Sequence, residues 1–137
     1  MGQHQFEVPD REGFEALLNT RFIRFGDMVF RKSTFTPGVV ARRLRDSGSL
    51  TVQRELNHVD LILYAFDIEV QTGWAEELCS YWRRRFLQQF PDLEMRLEAT
   101  ETGGEVTVTF WSECSRDRLR LVQSDNPRQF WRIQAAN

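Results

Sequence analysis

The sequence predicts an α+β domain in which hairpins build an antiparallel sheet and two or three helices pack on one of its faces. Three observations carry this expectation. RFIRFGDMVFRK and LEMRLEATETGGEVTVTFWS alternate apolar and polar residues about Gly-containing turns. TFTPGVVARRLRDSG and TGWAEELCSYWRRRFLQQFP open with helix start signals and close with stop signals. Finally, 137 residues suffice for a core that needs neither metal nor disulfide, and no linker composition divides them, so one domain spanning 1–137 is expected.

The first helix starts at Asp10, whose carboxylate can cap free amides, and buries Phe14, Leu17 and Leu18 before ending near Asn19. In the first hairpin, Gly26-Asp27 suits a two-residue turn that pairs Phe25 with Met28 and Ile23 with Phe30 on one face. Phe22 and Val29 fall on the other face with Arg24 and Arg31. Thr36 and Pro37 then start a helix with Val40, Ala41 and Leu44 inward and Gly48 just past its end.

SLTVQREL alternates Leu50 and Val52 with Thr51 and Gln53 and reads as a half-wet strand; VDLILYAFDIEV, apolar on both faces from Val59 to Phe66, reads as a central strand. The longest helix starts at Thr72, carries Trp74, Leu78, Trp82, Phe86 and Phe90 at intervals of four, and stops at Pro91. The second hairpin turns at Gly103-Gly104, with Leu93, Met95 and Leu97 facing Val106, Val108 and Phe110. In the tail, SRDRLRLV is a short strand or helical turn, and PRQFWRIQ is an edge strand entered through Pro127. From Met28 to Thr100 this gives a ferredoxin-like βαββαβ order, a likeness of layout that carries no chemistry.

Composition narrows the function classes. A net charge of −2 provides no global field toward nucleic acid or anionic membranes. The longest apolar run, Leu61 to Phe66, is too short to span a bilayer. The first ten residues have no basic and apolar leader pattern, and Cys79 and Cys114 fit neither a disulfide framework nor a zinc spacing, so a cytoplasmic chain with free thiols is expected. Lys32 is the only lysine among eighteen cationic side chains. That skew suits bidentate recognition of carboxylate or phosphate, and it also follows from GC-rich codons. Eleven Phe, four Trp and two Tyr exceed what a small core commonly uses, which fits dense packing, a lined cavity or a buried association surface.

Few residues suggest catalysis. His58 and Asp60 share a strand face, where a carboxylate can orient an imidazole, but no nucleophile accompanies them and His4 sits near the terminus. Asp67 and Glu69, with Glu94 or Glu98, offer oxygen ligands without a calcium-loop or HExxH pattern. No cofactor or metal is called for. Stronger surface candidates are Arg42, Arg43 and Arg45 on one helix and Arg83, Arg84 and Arg85 on another, which form one basic patch if both helices cover the same sheet face. Local complementing of helix ends and acids is the simpler reading of both triplets. Trp111 points away from the Val108 and Phe110 face, so with Phe22 and Val29 it forms an apolar patch unless the tail bearing Trp131 covers it.

The leading functional expectation is a non-enzymatic protein-interaction or regulatory domain that self-associates through this uncovered face or an edge strand. A small-molecule binder or enzyme is the alternative, using a pocket between the long helix and the sheet lined by Tyr64, Trp82, Phe86 and Phe110 with His58 and Asp60 as polar groups. Nucleic-acid binding through the arginine triplets ranks third, because the chain is acidic and has no recognition motif.

Overall fold

The computed structural model describes residues 8–113. His4, Cys114, Trp131 and the expected tail elements lie outside the described residues. Helix α1 (Arg11–Leu18) starts where the Asp10 carboxylate accepts the Gly13 N–H at 2.9 Å. Strands β1 (Phe22–Phe25) and β2 (Met28–Arg31) form the first hairpin in the expected register, with Phe25 opposite Met28 and Ile23 opposite Phe30. A short 3-10 turn leads into α2 (Pro37–Asp46), which has Pro37 in its first turn. Next come α3 (Ser49–Leu56), the two-residue β3 (Val59–Asp60), a 3-10 turn over Leu61–Leu63, and α4 (Ile68–Gln89). Strands β4 (Met95–Thr102) and β5 (Glu105–Ser112) close the described chain, joined through Gly103 and Gly104 at φ 59° and 85°, a left-handed pair that only glycine adopts cheaply.

The fold is α+β, and the described residues form four α-helices and two antiparallel sheets: β1-β2, and β3-β5-β4. The ferredoxin-like order is not formed, because the stretch expected to supply its two middle strands is largely helical. SLTVQREL is α3 rather than a strand: Val52, Gln53 and Asn57 are buried and Leu56 is half-buried, a helical face that includes two amides. In the next stretch only Val59 and Asp60 pair with β5. The chain then turns, and Asp67 caps α4 one turn earlier than expected, accepting from Glu69 N at 2.8 Å and Val70 N at 3.2 Å. Nor do the helices share one face. Helices α1 and α4 pack with Val106, Val108 and Phe110, whereas α3 lies over Thr109 and Trp111: the Thr109 hydroxyl donates to Arg54 O at 2.7 Å, and the Arg54 guanidinium sits 4.8 Å from the Trp111 ring.

Two apolar clusters meet at the first hairpin. Phe22 and Val29 enter the cluster of α1, α4 and β5, while Ile23, Met28 and Phe30 enter a smaller one with Val40, Leu44, Val52 and Leu56. Three buried amides complete the central strand. Gln71 on α4 accepts from Val106 N at 2.8 Å and donates to Gly104 O at 3.2 Å. Strand β3 pairs at Val108. Asn57 donates to Phe110 O at 3.1 Å, and Gln53 accepts from Ser112 N at 2.9 Å and donates to Ser112 O at 3.0 Å. The last two amides also reach β2: Gln53 accepts from Val29 N at 3.1 Å, while Asn57 donates to Val29 O at 2.8 Å and accepts from Arg31 N at 3.1 Å. Side chains thus join β2 to β5 where no strand ladder does.

Replacing Gln53 by Leu removes partners from buried groups on both strands, each worth about 1–3 kcal/mol when left unmade. Urea unfolding of Gln53→Leu should show a loss of at least about 3 kcal/mol. Thr51→Ala on the exposed face of the same helix should stay within about 0.5 kcal/mol of the wild type.

Candidate functional site

The structure disperses the residues that the sequence groups into a site. Trp111 is 0% exposed, Val29 is buried, and Phe22 packs in the main core, so the expected patch of these three is not an exposed face. The reason is that α3 covers the face that Trp111 occupies, while β1 delivers Phe22 to the opposite side. There Phe22 lies 5.5 Å from Trp82, 4.8 Å from Phe86 and 5.4 Å from Phe110, ring centroid to centroid. It fills the space where a pocket between the long helix and the sheet was expected. Tyr64 is half-buried against Phe14 at 6.3 Å, apart from those rings.

His58 and Asp60 do come together, with Nε2 and Oδ1 at 3.0 Å. The Thr107 hydroxyl donates to the same Asp60 oxygen at 3.2 Å, and Arg31 donates to the His58 carbonyl at 3.4 Å. No base is thereby set against a nucleophile, because the hydroxyl faces the carboxylate and not the imidazole. Asp67 is spent as a helix cap. Burial pushes the Cys79 thiol up to about 11, which leaves it unreactive at neutral pH. Among the described residues, no three His, Cys, Asp or Glu side chains converge to hold a metal ion.

The arginine triplets do not merge. Arg43 pairs with Glu55 across α2 and α3, with Arg42 and Arg45 exposed beside it. Arg85 turns inward: it donates to Leu18 O at 3.1 Å and Thr20 O at 2.6 Å, closing the carbonyl end of α1, and lies 4.5 Å over the Phe22 ring. Desolvation lowers its pKa. Arg83 and Arg84 are exposed on α4. Helices α2 and α4 serve different apolar clusters, so a common basic face does not arise.

Two concave regions flank the turn between α4 and β4. One, of ≈ 440 Å³, is lined by Arg24, Asp27, Pro91, Asp92, Leu93, Glu94 and Glu113. Arg24 grips Asp92 with two nitrogens, at 3.0 and 2.8 Å, and holds that carboxyl below its usual range. Glu113 behaves oppositely. Its burial, followed by a hydrogen bond shared with Glu94, outweighs Arg96 at 3.4 Å and pushes it up to about 7.

The second region is a groove of ≈ 250 Å³ between α4 and β4, lined by Arg83, Phe86, Leu87, Phe90, Pro91, Leu93, Met95, Arg96 and Leu97. Leu87 is 68% exposed in it. The open side of β4 runs along this groove. Main-chain groups alternate sides in an antiparallel ladder. Residues 104, 106, 108, 110 and 112 of β5 face the amides and β3, so its odd-numbered residues bond Arg96, Glu98, Thr100 and Thr102 of β4. The N–H and C=O groups of Met95, Leu97, Ala99 and Glu101 therefore point outward, where no strand among the described residues pairs with them. Sequence reading missed this site because Met95 and Leu97 register as core; its one signal was Leu87, an apolar residue off the buried stripe of α4.

Compared with protein-family models, curated proteins and solved structures, the chain matches none of them. Among the described residues, no helix is long and apolar enough to cross a membrane.

The raised Glu113 pKa sets a direction for pH dependence. A carboxyl at about 7 in the folded chain and 4.5 without its surroundings makes folding less favourable as pH rises between these values. Glu113→Gln should therefore raise the thermal midpoint relative to wild type at pH 8, with the difference disappearing below about pH 4.5. An equal difference at both pH values would contradict this account of Glu113.

Proposed function

We propose that this chain is a protein-interaction domain that takes an extended segment of a partner along the open edge of β4. The observation that carries this reading is the row of outward main-chain groups at Met95, Leu97 and Ala99 beside an apolar groove. Strand addition draws affinity from main-chain hydrogen bonds and selectivity from pockets for alternate side chains. Phe86, Leu87, Phe90 and Leu93 offer such a pocket, and Arg83 at its margin suits a carboxylate on the incoming segment. Met95–Thr102 is eight residues long and contains neither Pro nor Lys, and its charges at Arg96, Glu98 and Glu101 are of both signs. The small-molecule alternative loses its main support because Phe22 occupies the expected pocket.

Selection of random peptides displayed on phage against the full chain tests the reading. Ala99→Pro removes one outward N–H at a position where an edge strand tolerates proline, and Leu87→Asp places a charge in the groove. Selected peptides should bind both variants at least about tenfold more weakly, at unchanged thermal midpoints, because main-chain bonds and groove contacts carry the binding energy. Peptides that bind Ala99→Pro as well as wild type would remove the edge from the mechanism.

A further inference from the structure

We propose that the segment taken by the β4 edge is β4 of a second copy of this chain, paired antiparallel about a two-fold axis at Leu97. This inference rests on the reading of β4 as a docking edge and names its occupant. Only odd-numbered residues of β4 present main-chain groups outward, so odd must meet odd across the axis; a shift by one residue also turns every side chain to the wrong face. That leaves few registers, and side-chain chemistry separates them.

With Leu97 opposite Leu97, Arg96 faces Glu98 of the other copy and Glu98 faces Arg96, while Met95 meets the small Ala99. Centring on residue 96 sets two arginines face to face, and centring on 98 does so with two glutamates. Centring on Met95 also sets Arg96 against Glu94, but it brings Glu98 against Asp92 and Ala99 against Pro91, which has no N–H to donate. Centring on Ala99 sets Arg96 and Glu98 each against a threonine, Thr102 and Thr100, and forms no charge pair. Of these registers, only the one centred on Leu97 sets Arg96 against a carboxylate without opposing like charges elsewhere.

Both side chains are ordered by partners in their own copy, Arg96 by Glu94 at 2.8 Å and Glu113 at 3.4 Å and Glu98 by Arg54 at 2.6 Å, and they are 18% and 23% exposed. A guanidinium has five N–H donors and a carboxylate about four acceptor sites, so the cross-copy pair adds to these contacts without displacing them. The product is an alternating row, Arg54, Glu98, Arg96, Glu94, repeated in reverse about the axis. The two three-stranded sheets become one, and an axis normal to that sheet sets both α4 helices on the same side, with the two apolar grooves alongside each other.

Sedimentation equilibrium of the full chain at roughly tens of micromolar should give the mass of two copies, as a Kd of about 1 μM or below requires. Ala99→Pro should be a monomer with an unchanged circular dichroism spectrum. Arg96→Glu and Glu98→Arg should each weaken the dimer at least about tenfold, and their combination should recover it, because opposed like charges become paired again. If a charge variant does not fold, Glu94→Cys with Thr100→Cys supplies the test: oxidation should give a covalent dimer whose disulfide joins residue 94 to residue 100 of the other copy. A monomeric wild type overturns the inference, and so does a dimer indifferent to Ala99→Pro or cross-linked in another register. If a monomeric wild type selects phage peptides that Ala99→Pro rejects, only the second copy is wrong as occupant. If Ala99→Pro affects neither peptides nor mass, the docking edge itself is wrong.

Discussion

Every main-chain group that β5 turns away from β4 needs a partner, and meeting that need organises the rest of the fold. A full neighbouring strand would do so uniformly. Here β3 covers only the position of Val108, and Gln71, Asn57 and Gln53 supply the amides that a longer strand would have provided. An amide side chain both donates and accepts, so it can replace a peptide group without leaving a lone pair or proton buried. The consequence is that two helices are fixed relative to the sheet by directional bonds as well as by apolar contact.

The same amides decide where the first hairpin lies. Because Gln53 and Asn57 bond β2 and β5 together, the hairpin is held with one face in each apolar cluster. Phe22 then lands among Trp82, Phe86 and Phe110, and the ring surplus evident in the composition becomes packing rather than a ligand cavity. Arg85 is drawn into the same region, closing α1 and stacking on Phe22, which converts one residue of an apparent basic triplet into a structural group. Trp82 reinforces this with its own N–H to Leu18 O at 3.2 Å.

The two edges of the larger sheet are therefore treated differently. That of β5 is closed by side chains from α3 and α4, at the cost of burying three amides. That of β4 has no strand partner among the described residues and lies beside a groove lined by Leu87, Phe90 and Leu93. Among the described residues, this asymmetry leaves outward main-chain groups on β4 without a strand partner. In the acidic cleft on the other side of the α4-β4 turn, Arg24 pairs with Asp92, and Arg96 lies between Glu94 and Glu113.

Both hairpins, the register of the first, the start of α2 and the core stripe of α4 were legible in the sequence, because period and turn chemistry are local: Gly26-Asp27 and Gly103-Gly104 fix the strands that flank them. Helix α3 was not. Its inward face carries Gln53 and Asn57, and polar residues there erase the helical hydrophobic period while Leu50, Val52 and Leu56 leave a false alternation. Nor was the brevity of β3, since Leu61 and Ala65 are as apolar as strand residues whichever way the chain bends. The sequence by itself determined the α+β class, the register of the first hairpin and the turn and inward faces of the second, all set by neighbours within a few residues. Tertiary structure alone decided that Trp111 is buried and Phe22 packs in the core, that the arginines separate and that β4 has no strand partner among the described residues, because these depend on which distant group meets each main-chain bond of β5.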